Sequence, residues 1–208
     1  NGRLADDKVL AQIGPLMQEG DRFLMGLSTG YAWNVGEAYV PDALRPKYEK
    51  FMRASFLPKA KTLGWSPKEK DDDAIRILRP QLVGTAAVYD EAGLAAEAKK
   101  LTSLWLTDRK AIDRDMMNVV LAAGMRYGDK AHWDKLHAEA KKTAERADRG
   151  RLLRALGAFS DPKLVEEALA LTLTDEFDLR EASGIMNAAM GDPRTRMKTF
   201  NFVKQHFD

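Results

Sequence analysis

RLLRALGAFSDPKLVEEALALTL (151–173) reads as helix, stop, helix. Leu152, Leu153, Leu156 and Phe159 recur at helical spacing, and Leu164, Ala168 and Leu171 do so again after the break. Between them stands Asp161-Pro162. An aspartate there can accept hydrogen bonds from the orphan amides of a new helix, and proline fits its first position. Asp192-Pro193 repeats the signal, and Asp129 opens another periodic stretch. These three starts lie about 31 to 33 residues apart, the scale of a helix-turn-helix unit in a solenoid.

The same periodicity runs outward in both directions. Trp133, Leu136 and Ala140 make one stripe; Leu179, Ile185 and Ala189 make another. Toward the N-terminus the stripes are Leu24-Leu27-Tyr31-Val35-Ala38 and Leu44-Tyr48-Phe51-Ser55-Phe56, with Pro58 expected to kink or stop the latter. In LGWSP (63–67), Gly64 suits a left-handed terminus and Ser66-Pro67 a fresh start. Ile75, Leu78, Leu82, Ala86 and Tyr89 follow, bent at Pro80, then Leu94-Ala98-Leu101-Trp105 and Ile112-Met116-Val119-Ala123-Tyr127. Strand signals are scarce. The expectation is one all-α domain over residues 1–208, a right-handed α-α superhelix of antiparallel helix pairs, HEAT- or armadillo-like. The closing stretch GDPRTRMKTFNFVKQHFD (191–208) puts Met197, Phe200, Val203 and Phe207 on one face, which is expected to be docked.

Composition excludes several classes. At 45% hydrophobic and 31% charged, the chain has the make-up of a folded globular protein. Its 33 Lys+Arg against 31 Asp+Glu leave +2, which gives no footprint for nucleic acid. Without cysteine there is no disulfide frame, thiolate nucleophile or Cys-zinc site, and no choice between cytoplasm and periplasm. No apolar run reaches the roughly 18 residues of a membrane span. The opening NGRLADDK carries no initiator Met and no visible signal peptide, and is expected to be a cloning scar or the start of an excised domain.

Catalytic constellations are weak. His132 and His137 stand five positions apart and so point about 140° away from each other on a helix, unlike the pair in a helical zinc motif. Asp71-Asp72-Asp73 fan around a helix start, where first-turn acids favour the dipole. Arg146, Arg149, Arg151 and Arg154 read as a solvated face paired to Glu145 and Asp148, or as a set that captures a carboxylate. Trp33, Trp65, Trp105 and Trp133 read as packing residues. P-loop, nucleophile-elbow and dinucleotide fingerprints are missing. The catalytic, cofactor-binding and metal positions are therefore left without assigned residues.

LGWSPKEKDD (63–72), ILRPQLVGTAAVYD (77–90), RLLRALGAFSDPKLVEEALALTL (151–173) and the closing Pro193, Arg196, Phe200, Phe202, Val203, Phe207 and Asp208 together resemble a known pattern. It is the C-terminal helical domain of zinc aminopeptidases of the aminopeptidase N family, which includes the puromycin-sensitive and endoplasmic-reticulum enzymes. Asp192, Thr195, Phe200, His206 and Phe207 hold corresponding places but depart from the pattern in residue type, as does Pro80 after Arg79. The resemblance implies a non-catalytic fragment of a larger metallopeptidase, with zinc held in a catalytic domain of the same polypeptide. That domain and peptide substrates are its implied partners. The helical part would close over the active-site chamber and help select peptides. At Arg79 the expected role is a structural ion pair or a cap for the neighbouring turn. The competing reading is a stand-alone helical-repeat scaffold for protein interaction.

Overall fold

The structure, a computed structural model, describes residues 5–206 apart from the side chains of Glu37 and Ala38, so Ala38, Phe207 and Asp208 lie outside the described residues. Eleven α-helices and no strand are found among the described residues, so the fold class is all-α. The chain groups into two compact units, residues 1–94 with 113–116, and residues 95–112 with 117–208.

In the first unit α1 (Asp6–Glu19), α2 (Arg22–Ala38), α3 (Arg45–Leu63) and α4 (Asp73–Ala87) pack together. The core of α3 is Tyr48, Met52, Phe56, Ala60 and Leu63, one residue round from the expected stripe, and Leu44 is exposed. The helix runs through Pro58 and ends only at Gly64, whose φ of 65° is a conformation that glycine adopts without steric cost. Ser66-Pro67 does not start the next helix. Asp72 does, accepting from the Ile75 amide at 2.8 Å. Asp73 adds favourable first-turn charge. Leu78, Leu82 and Ala86 are buried as their spacing predicts.

The second unit holds α5 (Ala96–Trp105), α6 (Met117–Arg126), α7 (Lys130–Lys142), α8 (Arg146–Leu156), α9 (Pro162–Ala170), α10 (Leu179–Met190) and α11 (Pro193–His206). Packing runs from α5 to α6, from α6 and α7 to α8, from α8 to α10, and from α9 and α10 to α11. All three expected starts are real. Asp129, Asp161 and Asp192 accept from His132, Lys163 and Arg194 amides at 3.1, 2.8 and 2.9 Å. Glu145 and Asp178 cap α8 and α10 in the same way. The Leu152, Leu153, Leu156 and Phe159 stripe is fully buried, as are Trp133, Leu136 and Ala140. Helix α6 starts at Met117, later than the periodicity from Ile112 implies.

The last helix corrects an expectation. It docks through Thr195 and Thr199, both at 0% exposure, while Met197, Phe200 and Val203 are 62, 50 and 36% exposed. Thr195 donates its hydroxyl to the Ala189 carbonyl at 2.8 Å, and Thr199 to the Thr195 carbonyl at 3.0 Å. With their hydroxyls satisfied, two small side chains can bury against α9 and α10. The Asp192 cap fixes this rotation, because its other oxygen accepts from Ser160 Oγ at 3.0 Å and pairs with Arg126 at 2.9 Å.

Candidate functional site

Helices α2 and α4 leave a groove of 520 Å³ along their outer side, lined by Phe23, Gly26, Leu27, Gly30, Ile77 and Gln81 among others. Its apolar members are unusually open to solvent: Phe23, Leu27 and Ile77 are 65, 71 and 62% exposed. This overturns the assignment of Leu27 to a core stripe. Gly26 and Gly30 bring α2 close to Gln81, whose Nε2 donates to the Gly26 carbonyl at 3.1 Å. At one end the Arg22 guanidinium lies over the Phe23 ring at 4.1 Å. Tyr31, also on the lining, donates its hydroxyl to Asp6, and that hydrogen bond holds the phenol pKa above its ordinary value. Apolar surface with a few polar edge groups suits an extended or helical peptide.

The singled-out residues have other employments. Arg79 is wholly buried and donates to the carbonyls of Leu63 and Gly64 (3.1 Å to the latter) and to Asp71. It closes the LGW turn, the structural role expected of it. The acidic run is split accordingly. Asp71 pairs with Arg79, Asp72 caps α4, and Asp73 sits in its first turn. Trp65, Trp105 and Trp133 are core, whereas Trp33 is half-buried.

The arginine row is sorted by a residue that sequence spacing did not flag. Arg149 Nε and Nη2 grip both Glu181 oxygens at 2.6 and 2.9 Å, and Arg146 adds a contact at 3.1 Å. Glu145 is occupied as the α8 cap, and Arg151 pairs with Asp148 as expected, at 2.6 Å, a carboxylate that Arg109 also approaches at 3.7 Å. The Glu181 carboxyl is held below the ordinary glutamate range, first by the Arg149 hydrogen bonds. The sign follows from that depression. The stabilisation is complete above the unfolded value near 4.5 and is lost as pH falls through the lowered native value. Arg149→Met is therefore expected to flatten the acid limb of a urea-midpoint-versus-pH curve. A limb of unchanged steepness would deny the pair that role.

Neither histidine of the 132–137 pair faces a metal site. His132 completes the capping box with Asp129, and His137 Nε2 meets Glu176 at 2.7 Å beside Trp133 and Phe177. Among the described residues no three His, Asp or Glu side chains come together as metal ligands would. These residues do not fit a zinc centre, and no chemistry is derived through one. No described helix is long and apolar enough to cross a membrane.

Capped α-helices packed within each of the two units define an all-α protein. A sequence model of the ERAP1-like C-terminal domain matches residues 30–208, and the chain belongs to that family. It is 30% identical over 131 residues to Aminopeptidase M1-B of Oryza sativa subsp. japonica, covering 61% of this chain and 15% of that protein. Over 133 residues it is 25% identical to Aminopeptidase 2 of Candida albicans, covering 64% and 14%. Glutamyl aminopeptidase of Bos taurus is 26% identical over 129 residues, covering 62% and 13%. The chain thus spans only 13 to 15% of the length of these relatives.

Proposed function

We propose that residues 1–208 act as one non-catalytic C-terminal domain of a zinc aminopeptidase, capping the chamber over its active site and helping to select the peptides it trims. The match to the ERAP1-like C-terminal domain over residues 30–208 carries this reading. Relatives named as aminopeptidases, each far longer than the matched region, agree with it. In such an enzyme zinc would be held by a catalytic domain of the same polypeptide, where it would supply the Lewis-acid chemistry of peptide hydrolysis. The part proposed for this chain is to exclude bulky substrates and to offer apolar surface to the peptide. The α2–α4 groove, with Phe23, Leu27 and Ile77 exposed, is suited to that contact.

The test has two arms. The isolated chain, supplied with zinc, is expected to leave aminoacyl-4-nitroanilides intact. In the complete polypeptide, removing this region is expected to change the ratio of kcat/KM between long and short peptides by about tenfold, a shift of about 1.4 kcal/mol in discrimination. Zinc-dependent cleavage by the isolated chain, or an unchanged length preference after removal, refutes the proposal.

A further inference from the structure

We propose that the outer face of α11 is a docking surface for an acidic amphipathic helix of a partner protein. Met197, Phe200 and Val203 recur every third residue and form one ridge along the exposed side of the helix. Among the described residues of the second unit nothing covers them, because α11 meets α9 and α10 through Thr195 and Thr199 on its other side. Such a ridge is what a second helix packs against by fitting its own side chains to either side.

Charge identifies the kind of helix. Between Pro193 and His206 there are four Lys or Arg residues and no acid. Arg194 is matched by Asp192 at 3.6 Å and Lys198 by Glu166 at 2.8 Å. Lys204 lies in the last turn among the ridge residues, exposed, and no ion pair to it is found among the described residues. A partner with glutamates beside its apolar stripe would satisfy that cation and gain from the basic helix as a whole. Two copies joined symmetrically through this face would set like charges against each other. A lipid surface is the poorer fit, since Thr195 and Thr199 pin the helix to the domain and only a narrow three-residue ridge is free to enter it.

The probe is a fluorescent 16-residue peptide with leucines at i, i+3, i+4 and i+7 and glutamates between, titrated with the 208-residue chain. Saturable binding is expected, weakened about tenfold or more by Phe200→Asp and by Lys204→Glu. The counterpart peptide with lysine in place of glutamate is expected to bind poorly, and better to Lys204→Glu. Both substituted residues are exposed, so unfolding curves should match the parent, and Phe23→Asp in the α2–α4 groove should leave binding unchanged. No binding, equal binding of the lysine peptide, or indifference to Phe200→Asp overturns the proposal. So does self-association in sedimentation velocity, or flotation with phosphatidylserine vesicles, if Phe200→Asp abolishes it while the acidic peptide fails to bind.

Discussion

Arg79→Met is expected to cost about 3–5 kcal/mol of unfolding free energy, read as a lowered urea midpoint at unchanged slope. The side chain is at 0% exposure, and its donors serve the Leu63 and Gly64 carbonyls and the Asp71 carboxylate at once. Removing it strands a largely buried carboxylate and the two carbonyls together, which is why the loss exceeds that of an exposed ion pair. Arg79→Lys is expected to recover only part of it, since one ammonium cannot reproduce the planar fork that reaches three acceptors. The acid limb should change as well. Asp71 is held below its ordinary value of 3.8, first by the Lys68 backbone amide and further by Arg79. Its contribution is complete above that value and fades as pH falls through the lowered native one. Arg79→Met should shrink this contribution but leave the part due to Lys68. A midpoint within error of the parent would show that the LGW turn holds without its guanidinium.

Gly157→Ala is expected to destabilise the second unit by about 3 kcal/mol, because the end of α8 lies directly against the backbone of α10. A Cβ at this position would stand 2.2 Å from the Ile185 carbonyl oxygen and 2.9 Å from its carbon. The Gly157 backbone has φ −80°, which any residue adopts, so the obstacle is contact with α10 and not local strain. Gly150 on the same helix supplies the control. A Cβ there meets nothing within 4 Å, so Gly150→Ala should raise stability by about 0.5–1 kcal/mol through helix propensity and the unfolded chain. Thermal and urea unfolding of the two variants should move in opposite directions. Equal losses would mean that α8 tolerates or resents a methyl group regardless of α10.

Legibility in the sequence divided along a physical line. Asp129, Asp161 and Asp192 were readable as helix starts because a cap acts within one turn, on amides two or three residues away. Arg79 was readable as structural because the residues it closes on, Leu63, Gly64 and Asp71, lie in the adjoining turn. The groove was not. Leu27 satisfies helical spacing as well as any core residue, and periodicity says which side chains share a face without saying what that face meets. Glu181 went unnoticed for a related reason. Its partner Arg149 stands on another helix, 32 residues earlier, while nearer acids offered themselves as partners.

The amino-acid order alone determined an all-helical chain, the places where α7, α9 and α11 begin, and membership of a recognisable family, since each rests on local capping chemistry or on residues in series. Only the tertiary structure decided which side of α2 and of α11 is buried. Helix α11 has an apolar ridge that its sequence marks for the interior, yet the Asp192 carboxylate, gripped by Arg126 and Ser160, turns two threonines inward. Capping fixes an axis, whereas rotation about that axis is set by contacts arriving from other helices, and no periodicity within one helix carries that information.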